Sequence, residues 1–414
     1  MVEIREVPEA DIDRALELAY LVFHDRPEKE GRERHRELLR HCSRIGAYDG
    51  DALVGFMAAH AFRLSVPGAD LPCPGLTFVS VAPTHRRRGV LTALMGEMLR
   101  RAGAAGSPVA ALWASEAAIY GRFGYGSATQ GATIEIDSTR PLALRIEPDR
   151  RPLRLVATAD PEDAVAVVGP YHEAARAVRA GRPGRSDRRW TEEWLTEQDE
   201  EDEELSPPRI IVLGEPGEPI AGYVLYRTKP EQDSGGARTP GLVRVDELEA
   251  DTPQAAAALW ECVASLDLTG RVTAWGRPAD DPLLHFAADR DQVRVTALFP
   301  ALWLRLVDVA AALTGRSWAA PLELVLELTD VRLPANAGRF LLKAGPDGAA
   351  YGPAAGREAD LTLDVRELAA CYLGGTRAVE LAAAGLVVEH TPGAAAALDA
   401  GLRTALLPHT ADEF

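Results

Sequence analysis

Polar and apolar residues alternate with a period of two along Val2-Glu3-Ile4-Arg5-Glu6-Val7, which predicts a first strand. Ile12, Ala15, Leu16, Ala19 and Phe23 then recur at helical spacing and predict a helix over about residues 10–23. Leu76-Thr77-Phe78-Val79-Ser80-Val81 reads as a buried strand, and Val90, Leu91, Leu94, Met95, Met98 and Leu99 place an amphipathic helix directly after Gly89. The apolar stripe of that helix must lie on a sheet, and Pro83 keeps the crossing from the strand short. Through about residue 145 the order is strand, helix, strands, loop, helix, a mixed α/β pattern.

A second α/β region, residues 146–300, echoes the first. Val243-Arg244-Val245-Asp246-Glu247-Leu248-Glu249-Ala250 resembles a strand, and Thr252-Pro253-Gln254 with the run Ala255 to Leu266 resembles the helix after it. Where the first copy has three arginines and a glycine, the second has Glu247, Glu249 and Asp251, an acidic loop expected to repel a phosphate. The acidic run Glu197 to Glu204 reads as a solvated loop. The third region, 301–414, alternates at Leu322 to Leu328, turns at Gly345-Pro346-Asp347-Gly348, and continues with a short strand, Leu361 to Leu363. Helices are expected at Asp364 to Leu373 and Arg377 to Ala384, with a last one opened by Pro392 and stopped by Pro408. The fold class expected is thus α/β followed by α+β: two related α/β domains (1–145 and 146–300) and a small α+β domain (301–414).

A chain of 414 residues is too long for one ordinary core, and 47% hydrophobic with 26% charged residues is a globular composition. The net charge of −17 argues against general nucleic-acid binding and favours cationic small molecules as partners. Cys42, Cys73, Cys262 and Cys371 are far apart, without a Cys-x-x-Cys pair, as in a reduced cytoplasmic protein. The nine histidines show no tight ligand spacing, so no metal is expected. The alternating N-terminal strand leaves no signal peptide, and no apolar run approaches the ~18 residues of a membrane span.

The chemistry concentrates at His85-Arg86-Arg87-Arg88-Gly89. A diphosphate needs backbone N–H donors at a helix start, cations nearby, and a glycine where the chain comes close; this loop supplies all three. The pattern Val79-x-Val81-x-Pro83-x-x-Arg86-Arg87-Arg88-Gly89-Val90 resembles the acyl-coenzyme A signature of the GNAT acetyltransferase superfamily. The stretch Ala114-Ser115-Glu116-Ala117-Ala118-Ile119-Tyr120-Gly121-Arg122-Phe123-Gly124-Tyr125-Gly126, together with the terminal Phe414, narrows the resemblance to the Eis (enhanced intracellular survival) acetyltransferases, over almost the whole chain.

That resemblance implies an active GNAT domain, a GNAT-like domain that has lost its cofactor loop, and a sterol-carrier-protein-like C-terminal domain. It implies acetyl-CoA as co-substrate, lying along Phe78, Val79, Ser80 and Val81 and on Arg87, Arg88, Gly89, Val90, Leu91 and Thr92, with Ser115 and Glu116 lining the far side. Tyr120 matches the tyrosine that protonates the departing thiolate, and the α-carboxylate of Phe414 matches a terminal base.

These roles are chemically sensible. A protonated amine, near pKa 10.4, has no lone pair and must lose a proton before attacking a thioester. A free α-carboxylate near 3.3–3.7 is a weak base for that task; burial raises it, a neighbouring cation lowers it, and a bridging water fits between them. Asp25, Glu116 and Glu413 are candidate groups for recruiting the cationic amine, with His24 beside Asp25. The acceptor implied is a polycationic, aminoglycoside-like amine. The alternatives are a lysine on a protein or peptide, and a lipid- or sterol-binding role for the C-terminal domain. One departure is that no tryptophan precedes Trp113, so no aromatic wall for a sugar ring is visible near residues 26–39. The family also implies a homo-oligomer, a hexamer.

Overall fold

The computed structural model describes residues 2–199, 202–234 and 237–414. Strands β1 to β6 are Glu3–Glu6, Ser43–Asp49, Ala52–Val66, Ala69–Val81, Val109–Trp113 and Gly126–Ser127. Strands β7 to β12 are Gln130–Asp137, Leu153–Val156, Arg209–Leu213, Gly222–Lys229, Gln232–Ser234 and Ala237–Thr239. Strands β13 to β16 are Gly241–Ala250, Thr269–Pro278, Val293–Pro300 and Leu302–Leu306. Strands β17 to β21 are Leu322–Thr329, Gly338–Gly345, Gly348–Pro353, Leu361–Asp364 and Val387–Glu389.

The chain forms two units, cut at 129/130 and at 299/300, and the third sequence region joins the first. One contains residues 1–129, 300–408 and 412–414, and the other 130–299 and 409–411. The reason is strand exchange along the chain. Strand β16, from the third sequence region, pairs with both β5 and β6, and β7, from the first, pairs with β14.

In the first unit, one sheet runs β1-β2-β3-β4-β5-β16-β6 and another β19-β18-β17-β20-β21. The stripe expected after Gly89 is real: Val90, Leu94, Met95, Met98 and Leu99 are buried on the helix Val90–Ala104 and pack with Ile45, Val54, Met57 and Leu112 of the sheet. On the sheet's other face, Ile12, Ala15, Leu16 and Tyr20 of the helix Ile12–Phe23 pack with Leu53, Phe56 and Ala58. Strand β4 begins seven residues before the apolar run because Pro72 and Pro74 lie where β4 pairs with β3 alone; the pairing with β5 starts at Gly75.

In the C-terminal region, Gly345 and Gly348 close the β18–β19 hairpin as expected. The last helix, Ala394–Leu402, ends six residues before Pro408. Arg316 explains the stop: its buried guanidinium donates to the Leu402 carbonyl (2.8 Å) and to that of Tyr372, so a side chain completes the helix end.

In the second unit the sheet order is β15-β7-β14-β13-β10-β9-β8. The acidic run is not simply solvated. Asp199 pairs with Arg244, and Asp202 and Glu204 hold Lys229; Glu200 and Glu201 lie outside the described residues.

His409 also belongs to this unit. Its N–H donates to the Ala180 carbonyl, and burial, then the charges of Arg179, Arg277, Arg182 and Arg185, hold its imidazole well below the usual value. A depressed histidine pKa means that the unfolded chain takes the proton first as pH falls. Stability should therefore drop below about pH 6.5, with a slope of up to ~1.4 kcal/mol per pH unit from this one group. Urea unfolding at pH 5, 6, 7 and 8 should show this loss, and His409→Gln should flatten it; equal slopes in the two proteins would contradict the assignment.

Candidate active site

The site starts from a backbone irregularity. Strand β3 pairs with β4 at Gly55↔Val81, Phe56↔Ser80 and Ala58↔Thr77, so Phe78 and Val79 together face the single residue Met57. This is a β-bulge, with Phe78 at φ 51°, a conformation that non-glycine residues rarely adopt and one often found at functional sites. Beyond Gly75↔Ala111 and Leu76↔Leu112, β4 and β5 are no longer paired. Two arms thus leave one apex: Thr77–Val81, and Trp113 followed by Ser115 and Glu116.

At the end of the first arm the chain turns through a short 3-10 segment, Pro83–His85, then through Arg87 at φ 61° and Gly89 at φ 80° into the helix. A Cβ on Gly89 would meet nothing within 4 Å, so the glycine is needed for its dihedral angle and not for space. The helix start carries no side-chain cap and no acidic residue in its first turn, which leaves the N–H groups of Val90, Leu91 and Thr92 for a ligand. Arg86, Arg87 and Arg88 are exposed and form no ion pair among the described residues, whereas His85 reaches Asp49 at 3.3 Å.

The corresponding place in the second unit is closed. Pairing of β13 with β14 stops at Val245↔Ala274, but the helix Pro253–Ala264 is capped by Thr252, whose Oγ1 accepts from the N–H of Ala255 at 3.1 Å. Glu247 and Glu249 do not present bare charge, as the sequence suggested. Arg185 donates to both oxygens of Glu247 (2.9 and 2.8 Å), and Arg182 pairs with Glu249 at 2.9 Å. Burial pushes the Glu247 carboxyl up, and Arg185 and Arg182 outweigh it and bring it below its usual range. The acidic residues here are thus internally neutralised, and the helix start is capped.

On the second arm, Ser115 and Glu116 are exposed and precede the short helix Ala117–Tyr120. Tyr120 is 5% exposed, while Phe123 and Tyr125 of the same motif are fully buried. Burial, reinforced by the charge of Glu116 and opposed by a hydrogen bond with Ser115, pushes the Tyr120 phenol up to about 12.

The C-terminal residues 412–414 meet the apex. Trp113 Nε1 donates to the Asp412 carbonyl at 2.5 Å, and the Phe414 ring stands edge-on to Phe62, with centroids 4.9 Å apart. A Cβ at Gly75 would lie 2.4 Å from the Phe62 ring and 2.8 Å from that of Phe414. Gly75 is therefore the gap in β4 through which the two rings pack, at the position where β4 and β5 begin to part.

Glu413 is exposed beside Phe414. Asp25 has a local contact. It follows the helix Ile12–Phe23 and His24 (φ 60°), and its Oδ1 accepts from the N–H of Arg26 at 2.7 Å.

Sequence reasoning missed Gly75, His60, Phe62, His35 and Tyr20. Ring contacts that the sequence does not reveal occur at both Phe78 and Phe62. His35 packs edge-on to Phe78 at 5.3 Å and accepts or donates a hydrogen bond with the Tyr20 hydroxyl at 2.9 Å, and His60 stacks on Phe62 at 4.6 Å. Trp113 was the one readable signal, since it sits just before the Ala114–Gly126 motif at the end of a strand. Among the described residues, no group of three or more His, Cys, Asp or Glu is placed to hold a metal, and no helix is long and apolar enough to cross a membrane.

Comparison with known proteins fits this geometry. Residues 3–128 match one GNAT acetyltransferase domain family, 181–306 another, and 309–411 a sterol carrier protein domain. The chain is a GNAT N-acetyltransferase with a sterol-carrier-like C-terminal domain, and GNAT domains use an acyl-CoA donor. It is 40% identical over 376 residues, 90% of each chain, to an uncharacterized N-acetyltransferase of Streptomyces avermitilis. It is 36% identical over 389 residues, 90% of this chain and 88% of the relative, to the N-acetyltransferase Eis of Mycobacterium tuberculosis. The crystal structure of Eis1 from Mycobacterium abscessus superimposes with a TM-score of 0.85 at 33% identity and covers 100% of both chains. The chain belongs to the Eis family.

Proposed function

We propose that this enzyme transfers the acetyl group of acetyl-CoA to a primary amine of a polycationic, aminoglycoside-like small molecule. The observation that carries the reading is the packing of Phe414 against Gly75 and Phe62, with Trp113 holding the Asp412 carbonyl. In this reading the α-carboxylate of Phe414 works beside the split between β4 and β5, where an amine would approach a thioester lying along Phe78–Val81.

In this reading the first-turn N–H groups at Val90, Leu91 and Thr92, with Arg87 and Arg88, hold the pyrophosphate of CoA, and Ser115 and Glu116 border its other side. Acetyl-CoA supplies the activated acyl carbon. The Phe414 carboxylate, directly or through a water, takes the proton of the attacking amine, and an N–H of the bulged Phe78–Val81 backbone stabilises the oxyanion. Tyr120 gives its proton to the departing thiolate.

A phenol near 12 facing an ordinary thiol near 8.5 would leave an uphill transfer of about 5 kcal/mol. The thiolate in the same cleft suffers the same desolvation, however, so the gap returns toward the unperturbed difference of ~1.5 units, about 2 kcal/mol. The Phe62, Phe414 and Phe78 rings give the acceptor an apolar floor. Exposed Glu413 and Glu116, with the overall −17 charge, draw in a cation; Asp25 has a more distant part in this attraction.

With a panel of aminoglycosides, polyamines and lysine peptides, kcat/KM should be highest for the aminoglycosides. Preference for lysine peptides would replace this acceptor assignment. Because Tyr120 keeps its proton, kcat should show no alkaline fall below about pH 10, and Tyr120→Phe should lower kcat about 100-fold. An alkaline limb near pH 8 in the parent enzyme would contradict the role. The working enzyme is proposed to be a cytoplasmic hexamer. Its support is the edge strand β15, which exposes Val295 and Leu298 next to a stacked Trp275–Phe299 pair. Light scattering should give six times the 44.5 kDa of one chain.

A further inference from the structure

The turn that carries Tyr120 is backed by residues far away in sequence. It runs through the 3-10 segment Gly121–Phe123 and Gly124 at φ 83°, with the Gly124 N–H bonded to the Gly121 carbonyl at 3.0 Å and that of Tyr125 to the Tyr120 carbonyl at 3.4 Å. A Cβ at Gly124 would lie 2.8, 2.9 and 3.0 Å from Cζ, Nη1 and Nε of Arg305, so the guanidinium lies flat against the turn. A Cβ at Gly126 would lie 2.1 Å from the Arg366 carbonyl oxygen and 2.6 Å from the Ala370 nitrogen, backbone atoms of the helix Val365–Cys371 that cannot give way. Two glycines of the Tyr120 motif are thus explained by what presses on them from the C-terminal region.

Arg305 is held in place from the other side. It is completely buried on β16, and its Nη2 donates to both oxygens of Asp330 at 2.8 and 2.6 Å. Asp330 also accepts from the N–H groups of Arg332 (3.0 Å) and Leu333 (2.9 Å) and from Asn336 Nδ2 (3.0 Å). Asn336 in turn donates to the Val307 carbonyl at 3.2 Å, next to β16. Five hydrogen bonds from four donor groups thus fix one carboxylate, which fixes one guanidinium. Arg305 Nε and Nη1, the atoms facing Gly124, have no hydrogen-bond partner among the described residues, and neither has the hydroxyl of Tyr125. Burying an arginine with two idle N–H groups is costly for stability alone, and a buried ion pair is often no better than apolar residues of the same shape. A rigid, flat plate behind the turn gives the arrangement a purpose.

We infer that Arg305, pinned by Asp330, is a positioning residue that fixes the pose of Tyr120, and that the pin at Asp330 is what the sterol-carrier-like region contributes to acyl transfer. The inference rests on Tyr120 being the acid. Displacement of a reacting group by about 1 Å costs on the order of 100-fold in rate, and binding of the donor along Phe78–Thr92 does not pass through this turn.

The test is the double variant Arg305→Met with Asp330→Asn, which removes both charges and keeps the volume. The expected result is a kcat lower by about 10–100-fold with the KM for acyl-CoA within about threefold and a similar melting temperature. In a Tyr120→Phe background the same double change should lower kcat no further. A kcat within twofold of the parent, or an equal loss in both backgrounds, would overturn the inference. If the double variant does not accumulate in folded form, Arg305→Lys keeps the charge but loses the flat fork. It should give a smaller kcat loss at unchanged KM, and full kcat would again overturn the inference. Full activity of Tyr120→Phe alone would overturn the acid assignment as well. Impaired Tyr120→Phe beside a fully active double variant would overturn only the role of Arg305.

Discussion

Removing Phe414 should lower kcat about 1,000-fold and leave the KM for acetyl-CoA within about threefold, the range expected for loss of a positioned general base. The proposed donor site, from the bulge at Phe78 to the first turn after Gly89, makes no use of the tail, so binding should survive. What moves is the terminal carboxylate, by one residue, about 3.4 Å in extended chain. Trp113 still holds the Asp412 carbonyl, so the remaining tail stays docked and the carboxylate of Glu413 falls short of the apex. Phe414→Leu is the informative companion. It keeps the carboxylate but loses the edge-on contact with Phe62, and should retain most of kcat. A chain extended by one glycine should behave like the deletion. Steady-state kinetics on the three variants separates carboxylate from ring: equal kcat in the deletion and the parent removes the tail from the chemistry.

Reversing Arg87 and Arg88 to Glu should raise the KM for acetyl-CoA about 100-fold or more while kcat at saturation falls little. A charge-assisted hydrogen bond contributes roughly 1.5–3 kcal/mol, and each replacement also turns attraction into repulsion. Both side chains are exposed and form no ion pair among the described residues, so the change breaks no internal salt bridge and should not harm folding. High salt should lower KM in the variant and raise it in the parent, because screening weakens repulsion and attraction alike. Normal donor saturation in the variant would remove these arginines from the phosphate site.

The strand–loop–helix around Gly89 was legible because its information is local: a glycine at a left-handed position, three cations and a 3.6-residue stripe, all within about thirty residues. The hairpin at Gly345 to Gly348 was readable for the same reason. The partition of the chain was not, because it depends on Leu302–Leu306 pairing with strands some 190 residues earlier, and its apolar sequence would suit many sheets. Nor was the apex. Gly75 looks like any glycine in a strand, and only its juxtaposition with Phe62 and Phe414 gives it meaning. His35 was hidden in a charged, amphipathic helix, Lys29–Arg40, and Tyr20 in the helix before it, where a buried ring reads only as core. Asp25 was chosen by its place after a helix, and its contact with the N–H of Arg26 was not legible in the sequence. The acidic residues of the second copy were legible, but capping by Thr252 and neutralisation by Arg182 and Arg185 depend on side-chain partners that spacing does not reveal.

A crystal structure with CoA and a poorly reactive amine bound would test the central claim most directly. The account requires the Tyr120 hydroxyl within about 3–3.5 Å of the CoA sulfur, and a Phe414 carboxylate oxygen within hydrogen-bond reach of the amine, directly or through one water. A carboxylate turned to bulk solvent while the amine and sulfur meet elsewhere in the cleft would contradict it.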